Sequence, residues 1–169
     1  NLVGPNNAQY GRYLAFGDIF MVFNNQKKGL ENVTDYHRGL DISEAITTTS
    51  YTQDGTSFKR ETFSSYPDDV TVTHLSKKGD KTLDFTLWNS LTEDLIANGD
   101  YSWEYSNYKQ GAVTTDSNGI LLKGTVKDNG LKFASYLGIK TDGQVTAQDG
   151  YLTVTGASYV TLLLSAKTN

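Results

Sequence analysis

The chain has 169 residues, enough to bury about two-thirds of the surface its unfolded form would expose, so it has the material for a core of its own. With 37% hydrophobic and 20% charged residues and a formal charge of -4 spread without blocks, it is neither disordered nor membrane-spanning by composition, and it offers no basic footprint for nucleic acid or an anionic membrane. The absence of Cys removes disulfides, thiolate metal sites and cysteine nucleophiles together.

In chain order, residues 1–15 show no alternation and carry no start signal, the look of a cut end. Residues 19–23 are apolar on both faces, the pattern of a covered interior strand. Period-two segments follow at 46–52, 57–64 and 70–75. In Leu83-Asp84-Phe85-Thr86-Leu87-Trp88 the alternation puts Leu83, Phe85 and Leu87 on a buried face and Trp88 on the other. Residues 89–111 are the longest stretch without clear strand character and read as a functional loop or insertion. Strands resume at 120–126, 133–141, 144–147, 151–155 and 159–166, where 160–164 is again apolar on both faces. No apolar run exceeds about five residues, far short of the ~20 that cross a bilayer.

Asp54-Gly55, Asn118-Gly119, Asn129-Gly130, Asp142-Gly143 and Asp149-Gly150 separate these segments, and each is able to supply the positive φ angles that tight hairpins demand. No helical spacing lasts beyond about two turns, and no repeat or Pro-rich linker divides the chain. The expectation is an all-β fold: a single antiparallel β-sandwich domain over residues 1–169.

Candidate catalytic groups are few. His37 and His74 are the only side chains that titrate near neutrality, and no metal-ligand spacing connects them. His74 is in phase with Val70 and Val72 and is expected as a hydrogen-bonded, partly buried side chain. Asp116-Ser117-Asn118-Gly119 has the centre of a calcium loop, but Thr114 and Thr125 stand where ligands should, so a hairpin turn is expected. Neither a nucleophile elbow nor a phosphate-binding glycine loop occurs, and no cofactor or metal is expected. Two carboxyl groups suffice for glycoside hydrolysis, which leaves Asp68-Asp69 and Asp35 with Asp41 as residue types to place.

The aromatic signal is stronger. Tyr101, Trp103 and Tyr105 alternate with polar residues, Tyr108 follows, and Trp88 lies out of phase with its buried neighbours. Flat aromatic faces suit sugar rings, and Tyr and Trp also anchor protein interfaces. These five residues are candidates for internal packing, for contact with another domain, or for a sugar platform.

Phe16-Gly17-Asp18-Ile19-Phe20, then Tyr36-His37-Arg38-Gly39-Leu40-Asp41, then Tyr51, Asp54-Gly55 and Arg60-Glu61, then Ser65-Tyr66-Pro67-Asp68, keep the order of motifs found in one family. The chain resembles the amino-terminal β domain of glycoside hydrolase family 95, the α-L-fucosidases. The closing strand, with Gly156-Ala157 and Val160-Thr161-Leu162-Leu163-Leu164, fits as well; Phe16 and His37 depart from the usual pattern. The resemblance implies a "super-sandwich" and a downstream (α/α)6 barrel that carries catalysis. None of that family's catalytic motifs has a counterpart here, so the implied role is non-catalytic, in a fragment that begins inside the β domain. For the parent it implies inverting hydrolysis of terminal α-1,2-linked fucose, in a bacterial extracellular or cell-surface setting. The implied partners are the catalytic domain of the same polypeptide and fucosylated oligosaccharides.

Overall fold

A computed structural model describes residues 16–24, 32–92, 109–127 and 129–169, together with the backbone of 102–105. Among the described residues, thirteen strands form two antiparallel sheets: β1 (Ile19–Phe23), β2 (Val33–Asp41), β3 (Ile46–Gln53), β4 (Thr56–Ser65), β5 (Val70–Lys78), β6 (Leu83–Asn89), β7 (Ser102–Tyr105), β8 (Lys109–Asp116), β9 (Gly119–Val126), β10 (Lys132–Thr141), β11 (Gln144–Gln148), β12 (Tyr151–Ala157) and β13 (Tyr159–Thr168). The small sheet runs β1-β6-β12-β11 and the large one β2-β3-β4-β5-β13-β10-β9-β8-β7. Among the described residues the one helical turn is a short 3-10 turn, Ser90–Thr92. The expected β-sandwich is the observed fold.

Alternation builds the core. β6 buries Leu83, Phe85, Leu87 and Asn89 and leaves the residues between them half-exposed. Leu152 and Val154 of β12 pair with Leu87 and Phe85, so one apolar face spans both strands. Phe58, Leu75, Leu122, Phe133, Leu137, Val160 and Leu162 of the large sheet pack into the same cluster. β13 lies between β5 and β10, the interior position expected for residues 160–164.

Residues 19–23 correct the sequence reading, because β1 is an edge strand and not an interior one. Ile19, Met21 and Phe23 pack on the core, while Phe20 and Val22 are exposed on the outer face. Their apolarity is matched instead by the neighbouring strand, since Phe20 pairs with Trp88.

Of the five expected turns, Asp54-Gly55 and Asp149-Gly150 take positive φ at both residues and Asn129-Gly130 at its glycine, while Asn118-Gly119 and Asp142-Gly143 do not. Asp54 (φ 47) and Gly55 (φ 78) close β3 onto β4 in two residues, and Asp149 (φ 50) and Gly150 (φ 83) close β11 onto β12. Asp142-Gly143 is not a hairpin but a corner, because β10 belongs to the large sheet and β11 to the small one. The chain recrosses at Ser158, between β12 and β13, and Asp142 pins that second corner. Its carboxylate accepts from Ser158 N at 2.9 Å, from Tyr159 N at 3.2 Å, and from the Ser158 hydroxyl. These bonds favour the ionised form, and the Asp142 carboxyl is lowered to about 2, first by the Ser158 side chain.

Two connections leave the sandwich at one end. The β2–β3 turn is fixed by Asp41, whose Oδ1 accepts from Ser43 N at 2.9 Å, Ser43 Oγ at 2.7 Å and Glu44 N at 3.2 Å. In the β4–β5 turn, Ser65 Oγ donates to Asp68 Oδ2 at 2.5 Å and Asp69 N to Tyr66 O at 3.4 Å. The end of β13 runs beside this second turn, where Lys167 Nζ lies 3.3 Å from Asp69 Oδ2.

Candidate functional site

The aromatic candidates fall into two groups. Trp88 projects from the outer face of the small sheet as the middle ring of a row crossing three strands. Phe20 stacks on it with centroids 5.4 Å apart and planes at 26°, and Tyr151 lies on the other side at 5.3 Å and 46°. Residue order alone does not announce this row, because the β1–β6 and β6–β12 pairings that assemble it are long-range. Of the segment containing Tyr101, Trp103, Tyr105 and Tyr108, the described part is the backbone of β7. It pairs with β8, Trp103 opposite Gly111 and Tyr105 opposite Lys109. This strand lies within the stretch expected as a loop, as does the start of β8. Tyr101 and Tyr108 lie outside the described residues, as do the side chains of Trp103 and Tyr105.

Another aromatic surface lies on the outer face of the large sheet. Gly119 and Gly138 pair across β9 and β10, and the Tyr136 ring covers both. A Cβ at Gly119 would lie 2.9 Å from Tyr136 Cζ, and one at Gly138 would lie 3.2 Å from Cε1. The bare glycines let the ring sit down on the sheet, with the residue 43% exposed.

The polar candidates do not converge. His74 is part-buried, its Nδ1 hydrogen-bonded to Thr161 Oγ1 at 2.9 Å across β5 and β13, as its phase predicted. His37 is exposed on the edge strand β2, next to a bulge between Thr34 and His37. Asp35 and Asp41 stand six residues apart along β2, roughly 20 Å at strand rise, too far to share one glycosidic bond. Asp68 and Asp69 shape the β4–β5 turn. Asp116 Oδ1 accepts from Asn118 N at 2.8 Å and Gly119 N at 3.1 Å, so this carboxylate serves the hairpin. Among the described residues, no group of three or more His, Asp or Glu side chains is placed to hold a metal ion.

One groove, about 410 Å³, opens on the large sheet between β2 and β5, where Asp35, Ser50, Thr52, Ser57, Lys59 and Lys78 present hydroxyl, carboxylate and ammonium groups. Lys59 in this groove pairs with Glu61 at 2.8 Å. Lys109 is buried, which pushes its ammonium below the usual lysine value, and its Nζ lies 6.0 Å from the Phe133 ring centroid. No helix among the described residues is long and apolar enough to cross a membrane.

Two sheets packed on one core, aromatic groups on the outer face of each sheet and polar groups used in turns define a β-sandwich that presents surfaces. The chain matches the glycosyl hydrolase family 65 N-terminal domain over residues 1–169 and belongs to that family. No curated protein matches it.

Proposed function

We propose that this chain is the non-catalytic amino-terminal β domain of an α-L-fucosidase that removes terminal α-1,2-linked fucose with inversion. In this reading it supports an (α/α)6 catalytic barrel carried in the same polypeptide, in a bacterial extracellular or cell-surface setting. The observation that carries the reading is the match of residues 1–169 to the glycosyl hydrolase family 65 N-terminal domain, which supports the role of leading domain in a larger glycosyl hydrolase. The fucosidase specificity rests on the ordered motifs from Phe16-Gly17-Asp18 through Tyr36-His37-Arg38-Gly39-Leu40-Asp41 to Ser65-Tyr66-Pro67-Asp68. The test is an assay of the complete polypeptide on 2′-fucosyllactose beside α-linked glucose disaccharides, with and without inorganic phosphate. Release of fucose as its β-anomer is expected. Turnover of the glucosides with fucosides untouched would remove the fucosidase reading and leave the domain assignment in place.

A second reading, a carbohydrate-binding module, is favoured by the Tyr136 ring resting on its glycine pair, since an aromatic ring supported on a sheet and 43% exposed can offer apolar surface to a sugar. Saturation-transfer NMR with 2′-fucosyllactose tests it. Transfer that disappears in Tyr136→Ala supports this site, and transfer unaffected by that change places the contact elsewhere.

A further inference from the structure

We infer that the β2–β3 and β4–β5 turns are the surface on which the catalytic domain of the same polypeptide docks, with Ile42 and Tyr66 as its anchors. This rests on the chain being the amino-terminal domain of a larger hydrolase, and is independent of which sugar that hydrolase cleaves.

Ile42 is 87% exposed and Tyr66 96%, both at the tips of turns that leave the sandwich at one end. Neighbouring strands β3 and β4 bring the two turns side by side, Thr47 pairing with Thr62 near their bases. Leu40, also exposed, adds apolar surface on the approach to the first turn.

Chains usually put polar residues at such tips, and these turns have the polar residues as well. Those residues are spent on the turns and their neighbours: Asp41 folds back on the backbone, Ser65 and Asp68 bond each other, and Asp69 meets Lys167. Asp41 holds the first turn through three hydrogen bonds, with Ala45 in the left-handed region at φ 57. The second is held by the Ser65–Asp68 bond, by the fixed ring of Pro67, and by Asp69 at φ 55. The result is two stiff turns that display apolar side chains while the polar ones stabilise their shape. Anchors fixed in advance lose little freedom on binding, and large side chains of this kind carry much of an interface's energy.

The position of the chain end selects the occupant. β13, the last strand, finishes at Thr168 on this same end, and Lys167 reaches Asp69 in the very turn that carries Tyr66. Whatever follows residue 169 starts within a few residues' reach of both anchors. A tethered domain meets them at high effective concentration, an advantage that a free partner lacks.

The test is hydroxyl-radical footprinting of the complete polypeptide, read by mass spectrometry at Tyr66 and at Tyr159, with Tyr159 as internal reference. Tyr159 is 41% exposed on the outer face of the large sheet, so exposure within this domain ranks Tyr66 as the more reactive. The expected result is the reverse order, Tyr66 the less modified, unchanged on dilution to concentrations where sedimentation shows a monomer. Tyr66 more modified than Tyr159 would overturn the proposal. Protection of Tyr66 lost on dilution would assign the turns to a second copy of the chain, and would equally overturn it. The footprint needs no substrate, so it stands or falls apart from the fucose assay.

Discussion

Replacing Phe85 with Ala tests what holds the small sheet to the large one. Phe85 is fully buried on β6, with the Phe23 ring 5.0 Å away and Val154 as its partner on β12. Removing a fully enclosed phenyl ring costs its transfer free energy and leaves a cavity, together about 3–5 kcal/mol. Set against a total stability of about 5–15 kcal/mol, that is a large share of what keeps the chain folded. For a domain of this size it corresponds to a fall in Tm of roughly 6–20 °C. Urea unfolding followed by far-ultraviolet circular dichroism is the assay, with Phe63→Ala as control because Phe63 is 39% exposed on the other sheet. Phe63→Ala is expected to cost less than about 1.5 kcal/mol, since much of its ring already meets water. If Phe85→Ala cost no more than Phe63→Ala, the two sheets would not be joined through this face, and the account of the core would fail.

Three further outcomes are expected. A double-mutant cycle on Phe20→Ala and Trp88→Ala should return a coupling of about 0.5–1.5 kcal/mol, and zero coupling would deny that the rings stack in solution. Asp142→Asn should destabilise the chain in a pH-dependent way: the folded carboxyl is lowered from 3.8 to about 2, so its advantage is complete above 3.8 and lost as pH falls through about 2. Urea midpoints of the two proteins should therefore converge over that window, and a gap independent of pH would contradict the assignment. Gly119→Ala should cost about 1–3 kcal/mol in chemical denaturation, because its Cβ would lie 2.4 Å from the Leu137 carbonyl oxygen and 2.9 Å from Tyr136 Cζ. A neutral result would mean that the ring does not rest on the glycine pair.

Where a strand buries its own side chains, the alternation of residue types revealed it. β6 is the clearest case: Leu83, Phe85 and Leu87 are inside and Trp88 is on the other face, as the period of two requires. β2 escaped notice because it is an edge strand with charges, a glycine and a bulge, features that guard an open edge and erase the apolar signal. β8 escaped for a different reason. Gly111 on β8 pairs with Gly124 on β9, and the Phe133 ring of β10 fills the space over Gly124, so the apolar material there comes from another strand. Asp142-Gly143 looked like a hairpin because residue type encodes a bend but not which sheet receives the next strand. The same limit hid the row at Trp88, whose members Phe20 and Tyr151 meet it through pairings spanning more than sixty residues. Ile42 and Tyr66 sat in plain view, yet exposure is a property of the assembled surface and cannot be read from their letters.

The order of strands has a consequence for how the chain acquires its shape. β2 to β5 form a meander in which every strand pairs with the next, so loop closure is short and each hairpin forms from local sequence. The small sheet has one such pair, β11 with β12, while β1 waits for β6 and β6 for β12. On a ribosome the meander is complete once Lys78 has emerged, but β6 finds its second partner only after β12 is made. Throughout that interval the apolar face of Leu83, Phe85 and Leu87 is without its β12 neighbours. β5 likewise waits for β13, so vectorial synthesis leaves an open edge on both sheets until the last two strands are made, and chaperone engagement or aggregation would begin at those edges.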